Sequence, residues 1–290
     1  MKPIPESELI INNDGSIFHL HLFPHQIAND IILVGDQSRV EMITKYFDKI
    51  EHKAQNREFV SHTGFYKNKP ISVISTGIGT DNIDIVVNEL DALVNIDLKT
   101  RIVKTEKTSL NFIRIGTSGG LQSFLSAGDF LLSDTAIGFD GLLHYYQNSE
   151  KVRRLDFEQA LIKHLNYKAE LPQPYVVNAN KELIDRLGEG YKHGATISAS
   201  GFYGPQGRVV RLPIVNPKIN DMISEFAFGN EKITNYEMES SAIYGLGNML
   251  GHKAVTACLI IANRYNKTAL TDYKPKMEEL IIRVLDKLAE

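Results

Sequence analysis

The feature that most constrains the fold is a repeated unit. A short β-branched apolar run ends in a glycine turn, and a stretch with apolar residues at helical spacing follows. Asp30 to Val34 runs into Gly35-Asp36, and Val40, Ile43 and Phe47 then share one face. Pro70 to Ser75 runs into Thr76-Gly77-Ile78-Gly79, and Ile83, Val86, Val87, Leu90 and Leu93 then share another. Asn111 to Ile115, Asp129 to Thr135 and Ala254 to Ile261 read as further strands, and Met277 to Leu288 as a terminal amphipathic helix. Gly116-Thr117-Ser118-Gly119-Gly120 reads as a third glycine turn. Strands alternating with helices specify an α/β fold, a parallel or mixed central sheet covered by helices on both faces. Ligands of such sheets sit beyond the carboxyl ends of the strands, where these three turns lie.

The 290 residues allow one large domain or two small ones, and no repeat or low-complexity linker divides them. Two segments break the alternation. Residues 95–109, polar and lysine-rich, read as a surface insertion, and residues 148–174, with a helical stretch from Asp156 to Leu165, as an excursion near the mouth of the site. The charge balance, 32 − 35 = −3, argues against nucleic acid as a partner. The single cysteine, Cys258, excludes an internal disulfide and a cysteine-rich metal site, and its apolar surroundings read as core. Met1 to Leu9 is polar, unlike a signal peptide, and no window approaches the roughly 18–20 apolar residues that span a bilayer. A cytoplasmic location without membrane contact is the expectation. The nine histidines form no H-E-x-x-H set, so no metal is expected, and no G-x-S-x-G elbow is present.

Four stretches carry groups able to do chemistry, each with a plainer alternative. Arg114 with Gly116-Thr117 and the glycines beyond offers a guanidinium, a hydroxyl and closely approachable N–H groups, an anion nest; the alternative is a tight turn with Arg114 in a surface ion pair. Arg39, after Gly35-Asp36, stands at a helix start, where the macrodipole favours an anion. The spacing there is not that of a Walker loop, and Gly77-Ile78-Gly79 lacks the third glycine of a dinucleotide fingerprint. Glu237-Met238-Glu239 precedes an apolar helix: a carboxylate can accept both hydroxyls of a ribose diol, or the acids can simply cap the helix. Phe202, Gln206 and Arg208 offer an aromatic face, an amide and a guanidinium for a base, or form a glycine-proline loop with a packed aromatic.

Taken together these stretches resemble the nucleoside phosphorylase superfamily, and within it the uridine phosphorylases, from about Ile17 to Arg264. The order of Phe18-His19-Leu20, Gly35-Asp36 with Arg39, Arg57-Glu58-Phe59, Ser75-Thr76-Gly77-Ile78-Gly79, Arg114-Ile115-Gly116-Thr117, Phe202 with Gln206 and Arg208, Glu237-Met238-Glu239 and Asn263-Arg264 carries the resemblance. It implies a single domain over residues 1–290. It implies that Gly35, Arg39, Arg114 and Thr117 hold phosphate, joined by Arg57 of a neighbouring subunit. Met238, Glu239 and Thr117 would hold ribose, with His19 of the neighbour at the 5′-hydroxyl. Phe202, Gln206, Arg208 and Arg264 would hold the base, and Arg208, Gln206, Arg114 and Glu239 would act in catalysis. Arg264 stands where purine-specific relatives carry an aspartate for the purine N7.

The implied reaction is reversible phosphorolysis of uridine to uracil and ribose 1-phosphate. Phosphate is then a substrate and no cofactor is needed. A purine or broad-specificity phosphorylase and a non-catalytic nucleoside-binding protein are the alternatives. Gln37 replaces a family proline, and Asn82 replaces the serine that, with Glu58 and the Ile78 carbonyl, would hold a cation between subunits. The cation is therefore doubtful. The 95–109 insertion favours a homodimer, with a hexamer of dimers as the alternative.

Overall fold

The computed structural model describes residues 2–290. The chain runs β1 (Asp30–Val34), α1 (Gln37–Thr44), β2 (Lys49–Asn56), β3 (Phe59–Tyr66), β4 (Lys69–Ser75) and α2 (Thr80–Asn95). A two-residue hairpin, β5 (Ile96–Asp97) and β6 (Ile102–Val103), leads to β7 (Asn111–Gly120) and β8 (Phe130–Gly138). Next come α3 (Leu155–Leu165), β9 (Tyr175–Asn178), α4 (Lys181–Leu187), β10 (Lys192–Ser198), α5 (Ile219–Glu225), β11 (Ala227–Phe228) and β12 (Glu231–Glu237). The last elements are α6 (Ser240–Leu250), β13 (Lys253–Asn263), β14 (Thr268–Ala269) and α7 (Lys274–Ala289).

Alternation along the strands decides which helices cover the sheet. Ile31, Leu33 and Phe112 belong to one buried cluster with Ile83, Val86, Val87 and Leu90 of α2 and Ile243 and Leu246 of α6. Their neighbours Ile32, Val34 and Ile113 belong to the other, with Val40 and Ile43 of α1 and Leu280, Ile281 and Val284 of α7. Successive side chains leave a strand on opposite faces, so a uniformly apolar run is what two covered faces demand. The expected mixed sheet flanked by helices is the fold that forms.

One feature differs from the expectation. The segment Gly116–Gly120 is not a turn, because β7 continues through it. Gly119 and Gly120 pair with Ala262 and Asn263 of β13 on one side and with Tyr236 and Asn235 of β12 on the other. That second pairing closes β7, β13, β8, β10 and β12 into a ring, while β1, β4, β3 and β2 extend from it as an open wing. Residues without a Cβ let a strand bend sharply enough to join two neighbours at such a corner. The polar stretch after α2 is a small surface excursion whose base is fastened. The buried Asn95 amide donates to the Thr108 carbonyl at 3.1 Å, and its oxygen accepts the Thr108 N–H at 2.7 Å.

Helix α6 packs against the loop after β8 through Gly245. A Cβ there would stand 2.4–2.8 Å from three atoms of the fully buried Leu143. Gly245→Ala gains alanine's helix preference but overpacks this contact, which typically costs about 1–3 kcal/mol. The expected outcome is a lower urea midpoint with an unchanged slope.

Candidate functional site

Strands β1, β4 and β7 lie side by side and parallel, so their carboxyl ends bring three segments together. The turn after β1 is capped by Asp36, whose carboxylate accepts the Ser38 N–H at 2.9 Å and starts α1. The turn after β4 holds Gly77 and Gly79 at φ 74° and 101°, in the region that favours glycine. The two turns abut: a Cβ on Gly35 would lie 3.4 Å from the Gly77 carbonyl. Arg39, third residue of α1, is 8% exposed and donates to the Ile115 carbonyl at 3.3 Å.

Arg114 folds back over its own strand, and Gly116 makes room for it. A Cβ at Gly116 would stand 1.8 Å from the guanidinium. The side chain then enters a buried pocket between two carboxylates. It donates to Glu239 Oε2, and Glu237 Oε2 lies 3.3 Å away. Its other terminal nitrogen lies 3.6 Å from the buried Cys258 thiol. Glu239 also accepts the Gly79 N–H at 2.8 Å, which ties the β4 turn to the start of α6. Glu237 accepts the Ser198 hydroxyl at 2.5 Å and the N–H groups of Glu239 and Ser240, so it caps α6. The two alternatives for Glu237-Met238-Glu239 thus divide between residues: Glu237 caps, and Glu239 faces Arg114.

Burial sets the electrostatics. Loss of water pushes the Glu239 carboxyl up, and Arg114 opposes that shift. Burial lowers Arg39's hold on its proton, and the like charge of Arg114 adds to the effect. Arg39 forms no ion pair with a carboxylate among the described residues. Besides the Ile115 carbonyl it has the Tyr273 side chain as a partner, and a buried guanidinium beside a second one, with no carboxylate to pair it, is chemically suited to an anion.

A second cluster sits further along β7. Gln206 is 3% exposed, and its side-chain oxygen accepts from Arg208 at 2.5 Å and Arg264 at 2.8 Å. Arg264 also donates to the Gln206 carbonyl and lies 4.9 Å from the Tyr236 ring centroid. Burial, then Arg208, lowers the Arg264 pKa to about 10. Arg208 bonds the Phe202 carbonyl at 2.5 Å and stacks on the Phe202 ring at 3.8 Å. The Gln206 oxygen is therefore already engaged, and its NH₂ group is what remains for an imide edge. One face of Phe202 is likewise covered by Arg208 rather than open to a base. The Gly119 Cα region lies against Arg264, since a Cβ there would be 3.7 Å from Nε. From Gly116 to Gly119 is three strand residues, about 10 Å, the span of a nucleoside joined to a phosphate.

The other expected residues fall around these clusters. Thr117 and Met238 are half-buried between them in sequence, beside Gly116 and Glu239. His19 is held by Glu89 of α2, Nδ1 to Oε1 at 2.6 Å, and Arg57 is exposed at the β2–β3 turn, where its carbonyl accepts from Gln37. Neither touches the Arg114 group. At the suspected cation position the Asn82 amide donates to the Ile78 carbonyl at 3.3 Å. Cys258, read as inert core, is buried as expected but also lines the Arg114 pocket. The Gly79 N–H was not legible at all, since a backbone donor has no sequence signal beyond its glycine.

Residues 30–290 match the family model for the phosphorylase superfamily. The chain is 31% identical to the uridine phosphorylase of Thermococcus kodakarensis, over 87% of this chain and 79% of that protein. It is 31% identical to the uridine phosphorylase of Haemophilus influenzae, over 86% and 87%. Among solved structures it superposes with a TM-score of 0.86 and 29% identity on a Trypanosoma brucei nucleoside phosphorylase reported to show uridine phosphorylase activity, covering 97% of this chain and 99% of that one.

Glu237 is predicted to be structural. Glu237→Gln weakens the cap of α6 and leaves Arg114 with one carboxylate, and breaking a buried pair costs about 3–5 kcal/mol. Urea unfolding should show a loss approaching the lower figure because Glu239 remains. A change below about 0.5 kcal/mol would mean that the contact contributes nothing measurable.

Proposed function

The chain belongs to the phosphorylase superfamily, and from that premise we infer that it is a uridine phosphorylase, a pentosyltransferase that moves ribose from uracil to phosphate. Its curated relatives at 31% identity carry that activity in their names. The observation that carries the reading is the Gln206 side chain held by two guanidiniums, set about three strand residues from a buried pair of arginines. One end suits a dianion and the other a leaving group that gathers negative charge.

In the proposed reaction, Arg39, Arg114, Gly35 and Thr117 hold phosphate, completed by Arg57 of a neighbouring subunit. Glu239 and Met238 hold the ribose, and the neighbour's His19 reaches its 5′-hydroxyl. A phosphate oxygen forms the new bond to C1′ while the C1′–N1 bond breaks, its electron pair leaving with uracil. Positioning the weak nucleophile below C1′ removes much of the entropic barrier. Arg208, Arg264 and the Gln206 amide face the charge that develops on uracil. Arriving phosphate competes with Glu239 for Arg114, which frees that carboxylate to accept the ribose hydroxyls. No cofactor enters this scheme. Because two of the proposed ligands come from a neighbour, the working unit is a homo-oligomer, minimally a homodimer, and the cytoplasm is where uridine and phosphate would meet it. No helix among the described residues is long and apolar enough to cross a membrane.

The direct test is release of free base from uridine or inosine, with and without phosphate. Phosphate-dependent uracil release is expected, with inosine poorly used; a preference for inosine would replace the reading with a purine phosphorylase. Uridine binding without ribose 1-phosphate would leave a binding protein. Arg208→Ala should lower kcat by about 10²–10³-fold, the usual effect of removing one such donor, with the KM for phosphate unchanged. Arg114→Ala should instead raise the KM for phosphate, read from initial rates across a phosphate titration. An unchanged phosphate dependence would remove Arg114 from the anion site.

A further inference from the structure

A cleft of about 1230 Å³ has Arg208 in its wall. It exceeds the roughly 300–1,000 Å³ of ordinary ligand pockets. Its walls are the loop after α3 and the loop after β10, and they are mostly apolar, including Leu171, Leu212 and Ile214. Three cations also line it, Lys168, Arg208 and Arg211, and no aspartate or glutamate does. This is uneven for a chain whose acids outnumber its bases by 35 to 32. None of the three forms an ion pair among the described residues. Val210 and Leu212 are 77% and 79% exposed, a cost that an apolar occupant would relieve. Phe139, Tyr167, Ile219 and Met222 of the lining pack in one cluster with Tyr236, whose buried hydroxyl has no hydrogen-bond partner.

We propose that this cleft binds a small amphipathic anion, a carboxylate or sulfonate on an apolar body, and that its occupancy inhibits the enzyme. The apolar walls take the body, and Lys168, Arg211 and Arg208 take the charge. Arg208 is the link, because an anion in the cleft draws its guanidinium away from the Gln206 oxygen. The inhibition rests on the proposed phosphorolysis; the binding does not.

Calorimetric titration of the full-length protein with hexanoate, octanoate and decanoate tests the binding alone. Affinity should rise about fourfold per added methylene, and 1-octanol should bind at least tenfold more weakly than octanoate. The double variant Lys168→Ala/Arg211→Ala should keep its basal phosphorolysis and lose tenfold or more in octanoate affinity, with inhibition lost in parallel. Equal binding of octanol and octanoate, no heat with any of the acids, or an unaffected double variant would each overturn the proposal. A concentration-dependent dimer abolished by Leu212→Lys, without octanoate binding, would assign the surface to a second copy instead. If octanoate binds but uridine is not phosphorolysed, the site stands and the assigned activity falls.

Discussion

The Arg114 guanidinium, buried between Glu237 and Glu239, is the contact on which the rest of the site depends. Each partner fastens a different element. Glu237 caps α6 and takes a hydrogen bond from the end of β10, and Glu239 takes one from the turn after β4. Arg114 itself stands on β7, the strand of the closed ring from which the open wing extends. Removing the Arg114 charge would leave both carboxylates unmatched away from water, and that penalty exceeds the net gain of making such a pair. The group is therefore better understood as fixing one arrangement than as adding stability.

The same arrangement explains why the site lies where it does. The carboxyl ends of β1 and β4 supply turns, as an open α/β sheet would, but β7 does not end with them. It continues through its glycines into the ring and delivers Gly119 and Gly120 to Arg264. The groups proposed to hold phosphate and base thus lie against two stations along one strand, which gives them a spacing set by strand rise rather than by loop conformation.

Much of this was legible from the residues, and the failures share a cause. The two-faced burial of β1 and β7 and the buried face of α2 follow from apolar periodicity, a local property. The chemistry-bearing side chains of Arg39, Arg114, Gln206, Arg208 and Glu239 stand out in the sequence beside glycines or an apolar helix, and each lies in one of the two clusters. Gly116 to Gly120 was misread because a run of small residues signals a turn locally, whereas its reason is non-local. Gly116 yields space to Arg114, and Gly119 and Gly120 face partners more than a hundred residues away. The division of labour between Glu237 and Glu239 was hidden likewise. Two acids before a helix look alike in sequence until Gly79 and Ser198 are brought to them.

The charge balance of the free site bears on how substrates enter. Glu239 occupies Arg114, while Arg39 beside it bonds a carbonyl and the Tyr273 side chain but pairs with no carboxylate. In the proposed reaction, an entering phosphate dianion would gain most from Arg39, which has no carboxylate in an ion pair, and would lessen the repulsion between the two arginines. As Arg114 turns toward the phosphate, Glu239 loses part of its partner, in a place where burial already disfavours its charge. Ribose hydroxyls can then donate to it and restore what was lost. On the proposed assignment, phosphate binding would thereby prepare the sugar site, and by thermodynamic reciprocity a bound nucleoside would favour phosphate equally. The coupling needs no moving domain, only a guanidinium shared between an internal carboxylate and an incoming anion.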